Sequence, residues 1–136
     1  MTFHYERVEL NREVVLWAMY DRPTPDEWQA MLRAATEWLL DLERRGCHVS
    51  VVVDPSGMGN ADVVARTAAG HWRADHLPLI ANTCRCAGYV ADSSVMRGVL
   101  QAVFWFAPPA IPVQIFGNRE QALDWVQGRG PEPAAH

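Results

Sequence analysis

The chain is poor in cysteine, has no basic stripe and contains no long uninterrupted apolar run, and each shortage excludes a class of protein. Its three cysteines, Cys47, Cys84 and Cys86, are an odd number without the spacing of a disulfide framework. A reducing, cytoplasmic setting is therefore expected. Twelve Lys and Arg stand against sixteen Asp and Glu, for a formal charge of −4. A phosphate backbone would meet no electrostatic footprint here, so nucleic acid is not an expected partner. The first eight residues include His4, Glu6 and Arg7, unlike a signal peptide. The longest nearly uncharged stretch, 99–116, contains Pro108, Pro109 and Pro112, which a membrane-spanning helix rarely accommodates together, so no membrane span is expected. Also missing are a nucleophile elbow, a metalloprotease helix and a glycine-rich dinucleotide loop.

What is present describes one globular domain. The 136 residues are 49% hydrophobic and 21% charged, long enough and apolar enough to bury a core. Six tryptophans in so short a chain raise the question of whether all of them find a place inside.

Apolar runs alternate with helical periodicity. Residues 13–20 hold the near-continuous run Val14 to Met19, the pattern of a strand buried on both faces. Phe3, Tyr5, Val8 and Leu10 precede it as a more exposed strand, with Asn11-Arg12 as a hairpin turn. Thr24-Pro25-Asp26-Glu27 has the parts of a capping box. The helix it opens carries Trp28, Met31, Leu32, Ala35, Trp38, Leu39 and Leu42 on one face and ends at Gly46.

Residues 47–53, with three consecutive valines, predict a central strand. The turn 54–59 ends it, and a second helix begins near Asn60 and runs through Trp72. Pro78 marks a kink or a restart. Residues 85–91 predict a third parallel-type strand, and Asp92-Ser93-Ser94 cap a helix to about Phe106. A strand at 113–116 and a last short helix terminated by Gly128 complete the domain, 1–128. Residues 129–136 read as a loose tail. The order ββαβαβαβα implies an α/β layered domain with a mixed sheet of about five strands, mostly parallel, and about four helices.

Three stretches carry a family likeness. They are Val52-Val53-Asp54-Pro55-Ser56-Gly57-Met58, the capped helix start from Asp92 to Leu100, and the closing strand and helix from Val113 to Val126. On these the chain resembles the anti-sigma-factor antagonist (STAS) family and its lipid-transfer-like relatives of the CRAL-TRIO type. The resemblance implies a non-enzymatic regulatory module that binds another protein, itself or a small ligand, without a cofactor. It also implies a phosphorylatable hydroxyl at the start of the helix after the Val49–Val53 strand. Here that helix opens Asn60-Ala61-Asp62-Val63, with none.

Candidate sites follow, each beside a plainer reading. Phe104-Trp105-Phe106 spans roughly 200° of a helix, more than a sheet-covering stripe needs. With Pro108 and Pro109 it is a candidate homodimer or partner surface, against a wide core contact. Ser93, Ser94 and Arg97 at a helix N-terminus are a candidate anion site, against an ordinary cap. Ser56, Gly57 and Met58 are a candidate ligand loop, against a tight turn. Cys84 and Cys86 would share one face of a strand, read as buried thiols, since His48, His71 and His76 add no ligand spacing and no metal is expected. Asp54, Ser93 and His71 are the weak case for catalysis. The leading reading is an interaction module, probed through the aromatic helix end. Its alternative is a carrier of a small, lipid-like apolar ligand held beneath Trp72, Trp105 and residues 77–80.

Overall fold

The computed structural model describes residues 5–10, 13–20, 23–58, 63–106 and 108–129, with the backbone alone at 58, 63–67, 106 and 129. The predicted turn Asn11-Arg12, the helix start at Asn60 and residues 130–136 of the tail lie outside the described residues. Along the chain come β1 (Tyr5–Glu9), β2 (Val14–Met19), α1 (Pro25–Arg45), β3 (Val49–Asp54), a 3₁₀ turn (Ser56–Met58) and α2 (Val63–Asp75). There follow α3 (Leu77–Thr83), β4 (Cys84–Val90), α4 (Ser94–Phe106), β5 (Val113–Phe116), α5 (Arg119–Asp124) and a π turn (Trp125–Arg129).

Local chemistry explains the element ends. Thr24 accepts a hydrogen bond from the Glu27 amide at 3.2 Å, and Glu27 accepts one from the Thr24 amide at 2.9 Å, which completes the capping box. Gly46 closes α1 at φ +67°, the left-handed conformation that a side chain rarely adopts. Pro78 restarts the chain as a separate helix, α3, because a proline fits the first helical turn but not the interior. Gly128 does not terminate the last helix; it lies inside the π turn that extends α5.

The five strands lie in the order β1-β2-β3-β4-β5, with β1 antiparallel to β2 and the others parallel. A sheet that advances in one direction through right-handed crossovers must put every crossover on the same side. One face, bearing Val15, Trp17, Met19, Val49 and Val51, is accordingly covered by α1 to α4. The other, bearing Val14, Leu16, Ala18 and Val52, receives α5 and the π turn through Ala122 and Val126. All six residues of β2 are buried.

One bulge revises an expectation from strand alternation. The β3–β4 register steps from Val49↔Cys84 to Ser50↔Cys86. The extra residue turns Cys84 into the α1-side core and Cys86 to the opposite core, where its thiol meets Ser50 Oγ at 3.5 Å. The two cysteines do not share a face.

Candidate functional site

Between the sheet and α1 to α4 lies a cavity of about 200 Å³. Its walls come from amphipathic faces that the sequence periodicity already aligned. Trp28, Met31, Leu32 and Trp38 project from α1, Trp17 and Val51 rise from the sheet, and Met96, Leu100 and Phe104 close it from α4. Trp72 of α2 is half-buried in the wall and is held there because its indole N–H donates to Thr36 Oγ1 at 2.8 Å.

One charge interrupts this apolar lining. Arg73 is only 7% exposed, and its guanidinium lies over the Phe104 ring at 4.7 Å from the centroid. Phe104 in turn meets the Tyr89 ring edge-on at 4.9 Å. The Tyr89 hydroxyl is within hydrogen-bonding reach of Arg73; burial pushes its pKa up, while the nearby cation works against that rise. Cys84 also lines the cavity, and burial pushes its thiol up to about 11, with the Thr83 hydroxyl partly opposing. It is a packing thiol, not a nucleophile.

A second polar cluster sits at the carboxyl end of β3, on the opposite face of the sheet. Arg119 donates from Nε at 2.9 Å and from Nη2 at 2.8 Å to one oxygen of buried Asp54, whose other oxygen accepts the Ser56 amide at 3.1 Å. Tyr20 bonds Glu6 and Arg119; the Glu6 hydrogen bond, then burial, pushes its hydroxyl pKa up. This network ties α5 and the 3₁₀ turn to the sheet, and sequence reading missed it because the partners are 65 residues apart.

The residues singled out from sequence separate accordingly. Phe104 turns inward and lines the cavity, so it leaves the expected surface patch, while Trp105 is 89% exposed and Pro108 and Pro109 are exposed beside it. The Phe106 side chain lies outside the described residues. Because Trp105 faces solvent, it is not part of the cavity, contrary to the carrier reading; of residues 77–80 only Ile80 lines it. Ser93 Oγ accepts the Met96 amide at 3.1 Å, an ordinary cap, with Ser94 exposed and Arg97 half-buried one turn on. Gly57 does approach another backbone closely, but that backbone is its own: a Cβ there would overlap the Met19 carbonyl and Tyr20. Ser56 is half-buried in the same turn, and the Met58 side chain lies outside the described residues. Asp54 and His71 lie on opposite sides of the sheet, so the catalytic trio does not assemble. Among the described residues no cluster of His, Cys, Asp or Glu could hold a metal, and no helix is long and apolar enough to cross a membrane.

No protein-family model matches the chain, and no curated protein matches it. A solved structure does. The chain is similar to an uncharacterized protein of the DUF3478 family from Shewanella loihica PV-4, described as having a SpoIIAA-like fold. The TM-score is 0.64 at 11% identity, over 92% of this chain and 94% of that one. The likeness supports a STAS-like fold for this chain.

Proposed function

We propose that this STAS-like domain binds a small apolar molecule between its sheet and the α1–α4 layer. The observation that carries this reading is the cavity of about 200 Å³ with nearly all-apolar walls. Protein interiors pack densely, whereas this space opens partly to solvent, so its apolar walls lose packing contacts and face water when nothing is bound. A bound apolar ligand recovers those contacts. The carrier role implied by the CRAL-TRIO-type resemblance agrees with this, with the lining corrected to Trp72, Phe104 and the α1 face.

Intrinsic fluorescence tests it directly. Trp17, Trp28, Trp38 and Trp72 line the cavity, whereas Trp105 faces solvent and Trp125 packs on Phe116 across the sheet. Titration with indole-free probes such as toluene or octanol should shift and saturate the emission at about one equivalent. An unchanged spectrum, with no heat in a parallel calorimetric titration, would rule the carrier out.

A second reading rests on Trp105, 89% exposed, with Val95 56% exposed on the same helix. Exposed aromatics anchor protein contacts, and self-association through this flank of α4 would bury both. Sedimentation should then show a dimer that Trp105→Ser converts to monomer. A monomeric wild type at 100-fold range of concentration would remove this reading.

A further inference from the structure

Resting on the second reading above, we infer that the outer face of α4 is a self-complementary seam. Two copies pair α4 antiparallel about a two-fold axis between Gln101 and Ala102, and Trp105 of each seats on Gly98 of the other.

Charge points to the partner. The inward face of α4, with Met96, Leu100 and Phe104, is taken up by the cavity wall. A surface helix keeps charged residues on its solvent side, as α1 does with exposed Arg33, Glu37 and Arg44. The exposed positions of α4 are Ser94, Val95, Gly98, Gln101, Ala102 and Trp105, without a charge among them. Nor does a charged residue occur anywhere from Gly98 to Asn118. A charged peptide or an anionic bilayer would find no counter-charge on this face, and the formal charge of −4 opposes the bilayer further. A second copy presents the same uncharged surface, so contact with it strips water from no ion.

Shape selects the register. Trp105 is 89% exposed, a projecting ring, while a Cβ built at Gly98 would meet nothing within 4 Å, which makes that position an open notch. Ring and notch lie about two turns apart on one face. In a parallel pair, ring would meet ring and notch would meet notch. In an antiparallel pair centred between Gln101 and Ala102, each ring meets the other copy's notch, the isologous arrangement of a two-fold dimer. The same register brings Val95, 56% exposed, toward the exposed Pro108 of the other copy. It also sets the small side chain of Ala102 at the crossing, where helix axes approach to about 8 Å. The area suffices as well. The 13 residues of α4 form a seam about 20 Å long. Two indoles cover roughly 300–500 Å², and the rest of the seam with Pro108 and Pro109 carries the total toward the roughly 1,200 Å² at which stable interfaces begin.

Cysteine pairs placed along the seam test the register separately from self-association. The full chain carrying Cys47→Ser serves as the background. Oxidised Ala102→Cys should form a covalent dimer, because its two copies meet at the axis within disulfide reach. Val95→Cys should not, since in this register its two copies lie about 20 Å apart. Gly98→Leu fills the notch and should weaken the dimer about tenfold or more in sedimentation. Its circular dichroism spectrum should be unchanged, because the new side chain points into open space. Should that spectrum change, the cysteine pair decides alone. Failure of Ala102→Cys to couple, coupling through Val95→Cys, or a dimer indifferent to Gly98→Leu overturns the register and leaves self-association standing. A wild type that stays monomeric overturns both, and its co-sedimentation with phosphatidylcholine vesicles would assign the face to a lipid surface instead.

Discussion

At the residue scale, the positions that matter most are those where a side chain, or its absence, is dictated by a neighbour distant in sequence. Gly57 has no room for a Cβ because the end of β2 lies against it. Gly57→Ala should therefore cost about 2 kcal/mol, the usual range for overpacking, read as a lower urea midpoint; an unchanged midpoint would show that the turn can move away. The cysteines differ as sharply. Cys47 is half-buried near the surface, whereas Cys84 is buried with a thiol pKa of about 11 and Cys86 is buried on the opposite face. Iodoacetamide at pH 8 should modify Cys47 alone in the folded protein, which peptide mass spectrometry checks, since only the thiolate reacts. Modification of Cys84 at a similar rate would mean that its cavity wall opens readily to water. That Cys84 and Cys86 are buried was legible in the sequence, but which core each thiol enters was not. Cys84-Arg85-Cys86 shows simple alternation, and only the bulge against Val49 and Ser50 reverses it.

Elements were far more legible than their partners. The capping box, the seven-residue apolar stripe and Gly46 give α1 with both ends in place, because caps and periodicity are local properties of the backbone. Thr24→Ala removes the oxygen that accepts the Glu27 amide and should lower stability by about 1 kcal/mol. A thermal melt measures it, and a change under about 0.3 kcal/mol would mean that water replaces the cap at this exposed end. The α4 helix shows the limit of the same reasoning. Its three consecutive aromatics were too many for one stripe, and one ring outside the core was expected. Which ring could not be read, since periodicity does not reveal the helix's rotation about its own axis. Packing against Tyr89 and Arg73 selects Phe104 for the interior and leaves Trp105 in water.

At the scale of the whole molecule, the sequential strand order is the decisive fact. It places four helices over one face and concentrates four of the six tryptophans around a single space. Filling that space tests the arrangement as a unit. Ala35 of α1 lines the cavity, and Ala35→Leu adds about three buried carbons, near 2 kcal/mol of apolar transfer. The variant should unfold at a higher urea concentration than the ligand-free wild type and should bind octanol at least tenfold more weakly. Destabilisation by more than about 1 kcal/mol would show that the space is already filled by side chains in solution.

The amino-acid sequence by itself determined the class of the domain, its run of elements and the inward face of α1, all of which follow from local propensity and period. It also carried the likeness to STAS domains that the structural neighbour supports at the level of fold. Tertiary structure alone decided the strand order, the bulge that parts Cys84 from Cys86, the Asp54–Arg119 tie and the union of Arg73 with an apolar cavity. Those features join residues tens of positions apart, and no local period encodes which distant side chain a folded chain will bring alongside.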